Sequence, residues 1–257
     1  MVLLVDVDGP VATVTLNRPE ARNALSVELT TAVQTAITDL DHRADVSAIV
    51  ITGADPAFCA GVDLKQLATQ DRPAQVVRQD EAPPFYGTLP PHDTPVIGAI
   101  NGPAVTGGLE LVLACDFLIA SERATFADTH ARVGVMPGWG LTVRLPQLIG
   151  INRARQMSFT GDYVDAAKAY DWGLVNEVVP HADLLPRALE VATHIAGIPV
   201  DHVREIRAMY AEMTALTGEA AWARESEWSR EWMAKRFDQS RLAAERARIV
   251  ERGRSQQ

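Results

Sequence analysis

The stretch NGPAVTGGLEL, residues 101–111, follows an apolar run at residues 96–100 that is typical of a buried β-strand. Its glycines lie where that strand passes to a helix, so the backbone can approach a ligand closely there. The first N–H groups of a helix lack partners within the helix and can hold an anion. A ligand site is therefore one interpretation of the stretch, and a tight turn with close helix packing is the other.

A second segment of the same kind, FCAGVDL at residues 58–64, follows a short apolar run at residues 47–52. Two such segments facing one point would form an oxyanion hole, in which backbone N–H groups stabilise a developing enolate. Loss of one such donor typically costs about 3 kcal/mol of transition-state stabilisation. Each segment taken alone favours the tight-turn interpretation.

Strands and helical segments alternate through most of the chain. Two β-rich runs, residues 2–7 and 11–16, flank the turn Asp8-Gly9-Pro10, which predicts a hairpin. Ser26 is the predicted N-cap of a first helix, whose apolar residues recur at helical spacing. The alternation predicts βα units in a layered α/β core.

The sequence changes character near residue 181, after which helical patterns follow one another to the end of the chain. We place a boundary near residue 200, between an α/β core that holds the site (residues 1–200) and a C-terminal helical part (residues 201–257). Within the second part, Trp222, Trp228 and Trp232 are expected to be core or subunit-contact residues. The predicted helices of this region cover residues 184–198, 201–216, 219–232 and 239–252.

The composition of the 257-residue chain is that of a globular protein, with 47% hydrophobic and 22% charged residues. A net charge of −9 argues against general nucleic-acid binding, which needs a basic surface. The two cysteines predict neither a disulfide scaffold nor a structural zinc site. No apolar run reaches the ~20 residues of a membrane span, and no signal peptide is predicted, which favours a cytoplasmic location.

Several further pieces of the chain lie in an order that resembles the enoyl-CoA hydratase/isomerase (crotonase) superfamily. They include LNRPEARNAL at residues 16–25, GVMPG at residues 134–138 and a segment at residues 160–175. The resemblance runs from residue 16 to about residue 179. It implies an α/β fold, a crotonase-like spiral of βαβ turns, whose C-terminal helical part forms homotrimers or hexamers and covers the active site. It also implies a CoA thioester as the substrate, with no metal and no redox cofactor.

The resemblance implies roles for single residues as well. The oxyanion donors would be the backbone N–H groups of Val62 and Gly107. Arg22 is a candidate partner for a CoA phosphate and equally a solvated loop arginine. The positions that match the CoA or pantetheine path are Ala24, Ala60, Asp63 and Lys65.

The candidate acid–base residues are Glu110 and His130. Glu110 matches the first catalytic glutamate of the family and lies in the first turn of an otherwise apolar helix. An unpaired buried carboxylate is costly, so its presence suits acid–base work, although the helix dipole also favours a glutamate there. His130 occupies the position of the family's second glutamate.

Three interpretations of that difference are open. His130 could replace the glutamate, because imidazole holds or releases a proton near neutrality. Asp128 could reach the site instead. Hydration could also be lost, which would leave an isomerase or another single-carboxylate enzyme, or a protein that binds acyl-CoA without catalysis.

Two residues beside the motifs have competing interpretations. Trp139, like Asp128, is a candidate for the wall of the acyl pocket, and a packing role for the tryptophan is equally expected. Cys59 is expected to be a small buried residue, since no base is placed to activate its thiol. The sequence as a whole predicts a cytoplasmic, homo-oligomeric enoyl-CoA hydratase-like enzyme of fatty acid metabolism.

Overall fold

The computed structural model describes residues 1–69 and 87–236. The predicted helix at residues 239–252 therefore lies outside the described residues. Residues 70–86 lie outside them as well.

A six-stranded sheet forms the centre of the molecule. Its strands lie in the order β1-β2-β3-β4-β6-β9, with β1 antiparallel to β2 and every other neighbouring pair parallel. The hairpin predicted around Gly9 is the β1–β2 pair, and the predicted parallel βα units supply the rest. The strands are β1 (Leu3–Asp8), β2 (Val11–Leu16), β3 (Ala48–Gly53), β4 (Val96–Ile100), β6 (Phe117–Ser121) and β9 (Glu177–Val179).

A second, three-stranded sheet lies beside the candidate motifs. It consists of β5 (Ala104–Val105), β7 (Thr125–Ala127) and β8 (Val164–Asp165), with β5 parallel to β7 and β7 antiparallel to β8. Two isolated parallel bridges, Leu25 to Val62 and Cys59 to Ala104, join the first glycine segment to its surroundings. The small sheet thus aligns the chain before Gly107 with the chain before His130.

Helices follow most strands and cover the large sheet. Ser26 caps the first of them as predicted, because its Oγ accepts a hydrogen bond of 3.1 Å from the Leu29 N–H. The helices are α1 (Val27–Asp41), α2 (Leu64–Thr69), α3 (Gly107–Leu113), α4 (His130–Val133), α5 (Leu141–Ile149), α6 (Ile151–Thr160), α7 (Ala166–Trp172), α8 (Leu184–Ala196), α9 (Val200–Met213) and α10 (Glu219–Arg236).

The inner strands of the large sheet, such as β3 and β4, are buried on both faces. Alternate residues of β3 belong to two apolar clusters, Ile49 and Ile51 to one and Ala48 and Val50 to the other. The first cluster includes the buried face of α1. The second includes Leu184, Ala188 and Ala192 of α8. A sheet covered by helices on both faces explains why β3 is apolar at successive positions.

The chain divides into two compact units, Met1–Arg204 and Glu205–Gln257. The division falls within α9, the helix that begins at the predicted boundary. Within the second unit, the Trp228 indole N–H donates to Glu205, and the Arg224 guanidinium lies 4.7 Å from the centre of the same ring. The roles predicted for this part in assembly and in covering the site stay predictions.

None of the helices described at residues 1–69 and 87–236 combines the length and the apolarity needed to cross a bilayer.

Candidate active site

The two glycine segments meet at the start of α3. A side-chain carbon placed on Gly61, whose φ is +93°, would lie 2.7 Å from the Val105 carbonyl oxygen and 3.4 Å from the Gly107 nitrogen. A carbon on Gly107 would lie 3.5 Å from the Val62 nitrogen. The backbones of the two segments therefore touch, and the Val62 and Gly107 nitrogens are near neighbours.

The local hydrogen bonding leaves both of these N–H groups available. In the bridge around Val62, the Leu25 N–H donates to Gly61 at 2.7 Å and the Asp63 N–H donates to Leu25 at 3.1 Å. Gly107 is the first residue of α3, so its N–H has no partner within the helix. Neither N–H donates to an acceptor among the described residues. The arrangement is a pair of adjacent, free backbone donors.

The second glycine of the pair, Gly108, fixes the distance between the segments. A side-chain carbon there would lie only 2.1 Å from the Cys59 carbonyl oxygen, so the position requires glycine. Cys59 itself is fully buried, as predicted, and burial raises the pKa of its thiol to about 12. A thiol with so high a pKa stays protonated near neutral pH and is therefore not a nucleophile.

Glu110 lies in the first turn of α3, three residues beyond Gly107, and is 2% exposed. The sequence suggested an unpaired carboxylate, but the structure gives it two partners. The Trp139 backbone N–H donates to Oε1 at 2.7 Å, and the His130 Nε2 lies 3.6 Å from Oε2. The carboxylate is thus held by a fixed donor on one oxygen and faces an imidazole with the other.

His130 lies between two carboxylates. Its Nδ1 is 2.6 Å from the Asp128 Oδ1, and its backbone N–H donates to the same oxygen at 3.1 Å. Burial alone would lower the pKa of His130, but its contacts with Asp128 and Glu110 outweigh burial and raise that pKa to about 9. Burial likewise opposes ionisation of Asp128, yet its hydrogen bonds with His130 and Ser158 lower the pKa of that carboxyl.

The small sheet explains why Glu110 and His130 meet. Ala104 and Val105 of β5 pair with Phe126 and Ala127 of β7, so the segments that follow the two strands leave the sheet side by side. One of these segments becomes α3 and carries Glu110, and the other becomes α4 and carries His130.

A threonine pair that the sequence did not point to joins the same two segments. The Thr106 and Thr129 hydroxyls contact each other, and the Thr129 N–H donates to the Thr106 Oγ1 at 3.3 Å. Thr106 has a φ of +54°, which is unfavourable for a β-branched residue. The strained residue immediately precedes Gly107, so it sets the direction of the Gly107 N–H.

The residues predicted to lie on the CoA path surround Arg18, a residue for which the sequence predicted no role, and form a framework with it. Its guanidinium donates to the Ala24 carbonyl at 2.6 Å and to the Asp63 carboxylate at 3.0 Å. The Ala60 N–H donates to the Arg22 carbonyl at 3.0 Å, which ties the remaining positions to the same loop. Arg18 belongs to the LNRPEARNAL piece, which was the one signal for it.

The charged groups of this framework differ in exposure. The Asp63 carboxylate is buried, and its other oxygen accepts from the Lys65 N–H at 3.1 Å. Burial opposes its ionisation, but the Arg18 guanidinium and backbone N–H groups outweigh burial and lower the pKa of Asp63. The Arg22 and Lys65 side chains are exposed to solvent. Asp63 is therefore a structural anion, whereas the two cations face outward.

Trp139 contributes its ring as well as its N–H. A side-chain carbon on Gly107 would lie 3.1 Å from the Trp139 Cζ3, so the indole borders the oxyanion segment. Its predicted role as a wall of the acyl pocket stays a prediction. Among residues 1–69 and 87–236, no group of three or more His, Cys, Asp or Glu side chains is arranged to hold a metal ion.

Comparison with known proteins gives consistent matches over most of the chain. Residues 6–250 match the family model described as enoyl-CoA hydratase/isomerase. A probable peroxisomal enoyl-CoA hydratase of Arabidopsis thaliana is 40% identical over 187 residues, which are 73% of this chain and 69% of the plant protein. A probable enoyl-CoA hydratase of Mycobacterium bovis is 40% identical over 202 residues, 79% of this chain and 78% of the relative.

Solved structures match as well. The crystal structure of an enoyl-CoA hydratase from Mycobacterium smegmatis is 52% identical with a TM-score of 0.75, covering 91% of this chain and 99% of that one. A Bacillus anthracis enoyl-CoA hydratase is 31% identical with a TM-score of 0.84, covering 98% of this chain and 97% of the other. The likeness therefore extends to the whole fold.

Proposed function

Because this chain belongs to the enoyl-CoA hydratase/isomerase family, we propose that it adds water to the C2=C3 double bond of a 2-enoyl-CoA thioester. The observation that carries the proposal is the contact between Glu110 and His130, 3.6 Å apart, beside the free N–H groups of Val62 and Gly107. Hydration needs an acceptor for negative charge on the thioester oxygen, a base for water and an acid for C2. The described residues offer a group for each task.

The backbone donors would hold the thioester oxygen as it gains negative charge. Donors fixed in the fold need no reorganisation when the charge appears, and each is typically worth about 3 kcal/mol in the transition state. The parallel bridge between Cys59 and Ala104 supports this role, because its backbone hydrogen bonds hold the two segments together.

Glu110 would take a proton from the attacking water while His130 supplies a proton at C2. The Trp139 N–H, 2.7 Å from Oε1, orients the Glu110 carboxylate for this task. His130 would thereby replace the second glutamate of related hydratases. Its charged state at neutral pH supports the assignment, because an imidazolium is a donor and a carboxylate is not.

The CoA part of the substrate would bind along the Arg18 framework, where Ala24 and Ala60 leave room and Asp63 is fixed. Arg22 and Lys65, which are exposed, are the proposed partners of the CoA phosphates. CoA enters as part of the substrate, and we propose no further cofactor. Phosphate-contact variants, Arg22→Ala and Lys65→Ala, should raise KM with little change in kcat.

We also propose that the protein assembles as a homotrimer or hexamer and acts in the cytoplasm in fatty acid metabolism. Apolar side chains exposed on the first unit support self-association, notably Met136 and Phe159, which are 84% and 76% exposed. Light scattering on the purified protein gives the oligomeric state directly, and a monomer at micromolar concentration would contradict the proposal.

The test of the proposed reaction is the loss of enoyl-thioester absorbance when the purified protein meets crotonyl-CoA. We expect turnover, with a product whose mass exceeds that of the substrate by one water. Conversion of 3-enoyl-CoA without hydration of crotonyl-CoA would instead identify an isomerase. Binding of acyl-CoA without any turnover would identify a non-catalytic binding protein, and either result would overturn the hydratase proposal.

A further inference from the structure

Asp128 makes two contacts with His130 through one carboxylate oxygen. That oxygen lies 2.6 Å from the ring Nδ1 and accepts the backbone N–H of the same residue at 3.1 Å. Asp128 is 2% exposed and His130 is 6% exposed, so water competes little for these bonds. Two bonds to one buried oxygen fix both the start of α4 and the plane of the imidazole ring.

The ring therefore has a carboxylate at each end. Nδ1 faces Asp128, and Nε2 faces the Glu110 Oε2 at 3.6 Å. An ionised carboxylate only accepts hydrogen bonds, so the arrangement favours the imidazole form that carries a proton on both nitrogens. Within the described part of the chain, the charged groups facing the ring are Asp128, from the segment before α4, and Glu110, from α3. Ser158 of α6 adds a neutral hydroxyl that hydrogen-bonds to Asp128.

We propose that Asp128 is a positioning residue that keeps His130 in the imidazolium form, with Nε2–H directed at the site, so that His130 is the acid and Glu110 the base of the reaction. This inference rests on the proposed hydration. Asp128 contacts the ring nitrogen that faces away from Glu110, so it acts through His130 and does not itself meet the reacting atoms. The role of the family's second carboxylate is thus divided between an imidazolium that donates and a buried carboxylate that holds it.

The protons balance without a further reactant. Water forms a bond from its oxygen to C3 and gives a proton to the Glu110 carboxylate, while the C2=C3 electron pair moves toward the thioester oxygen. The enolate then takes the Nε2 proton of His130 at C2, which leaves a neutral imidazole beside a protonated Glu110. A proton passed from Glu110 Oε2 to His130 Nε2 restores both groups, and a small side-chain movement from their 3.6 Å separation brings the two atoms within hydrogen-bond reach.

The decisive variant is Asp128→Asn, which keeps the size of the side chain and removes its charge. An opposite charge at this distance typically shifts a pKa by about one to three units. We expect the alkaline limb of the wild-type kcat profile to lie near pH 9 and to move down by about that amount in the variant. At pH 8 kcat should fall by about 2-fold for a shift of one unit and by about 90-fold for a shift of three units, because the protonated fraction of His130 falls by that factor, with KM little changed.

The expected recovery of Asp128→Asn at low pH separates positioning from simple damage. Near pH 6 the His130 ring of the variant is protonated again, so much of the lost kcat should return, whereas a misfolded site would stay inactive. Asp55→Asn is the matched control, because Asp55 contacts another histidine, His181, at 3.0 Å outside the site. That control should keep the wild-type kcat and profile.

A proton NMR titration of the His130 ring tests the same inference without any turnover, with the resonance assigned by its loss in His130→Gln. The wild-type ring should titrate near pH 9, and the Asp128→Asn ring about one to three units lower. Wild-type titration near 6.5, or an unchanged profile and titration in Asp128→Asn, would overturn the role of Asp128. An inactive wild type with the expected titration would instead overturn only the hydration proposal.

Discussion

At the scale of residues, the acid–base centre is formed by the contacts of His130 with Glu110 and Asp128. Glu110 and His130 are both identifiable in the sequence, one by its place in an apolar helix and the other by its departure from the family pattern. The structure brings them together at 3.6 Å. The contact of Asp128 with the far ring nitrogen could not be predicted, because sequence spacing does not determine which way a short loop turns its side chains.

Arg18 and Asp63 show a second limit at this scale. Asp63 was interpreted as a ligand position, yet its carboxylate is engaged by the Arg18 guanidinium at 3.0 Å, with both side chains largely buried. The partners are 45 positions apart in the sequence. No periodic pattern relates such a pair, so only the folded chain reveals it.

The Arg18–Asp63 pair should stabilise the fold in a pH-dependent way. Because folding lowers the pKa of Asp63, its contribution is present above the ordinary aspartate pKa of 3.8 and disappears as the pH falls through the lower folded value. Asp63→Asn should therefore reduce the free energy of unfolding by about 1 to 3 kcal/mol at pH 7, with a smaller difference from wild type near pH 3.

Urea denaturation at the two pH values measures the Asp63 effect. Asp45→Asn is the matched control, since Asp45 pairs with Arg43 at the surface, where both side chains are well exposed. The control should change the stability little at either pH. An Asp63→Asn protein as stable as wild type at pH 7 would show that the Arg18–Asp63 pair does not stabilise the fold.

At the scale of elements, the site depends on where strands end and helices begin. The long strands and α1 were predicted from apolar runs and from the Ser26 cap, and the structure confirms them. The small sheet of β5, β7 and β8 was not predicted, because its strands have two or three residues and so show no alternation. That sheet is nevertheless what aligns α3 with α4.

The contact between the glycine segments gives a prediction at this scale. In Gly108→Ala the added methyl would lie 2.1 Å from the Cys59 carbonyl oxygen, so one backbone must move. We expect a loss of stability of about 1 to 3 kcal/mol, typical of overpacking, and a loss of crotonyl-CoA turnover as the backbone donors separate.

Gly138→Ala is the control for that experiment, since no described atom beyond the two adjacent residues lies within 4 Å of the added carbon. Thermal unfolding of the control should match wild type within about 0.5 kcal/mol. Wild-type stability and activity in Gly108→Ala would show that the close approach of the segments is not required.

At the scale of the whole molecule, the predicted crotonase-like α/β fold is confirmed by the family match and by the solved structures. The sequence was enough to predict this fold because several motifs occur in the order typical of the family over most of the chain. The α/β core and the helical C-terminal part both follow from the changes in pattern. The assembly and the subcellular location stay predictions.

The central claim is that Glu110 and His130 act as one unit in hydration. The measurement that tests it most directly is kcat with crotonyl-CoA for the wild type, Glu110→Gln, His130→Ala and the double variant. We predict that each single variant loses about 100-fold or more, and that the double variant loses little beyond the worse single one, because a pair that acts together is disabled by either change. Wild-type turnover in either single variant, or losses that multiply in the double variant, would contradict the account.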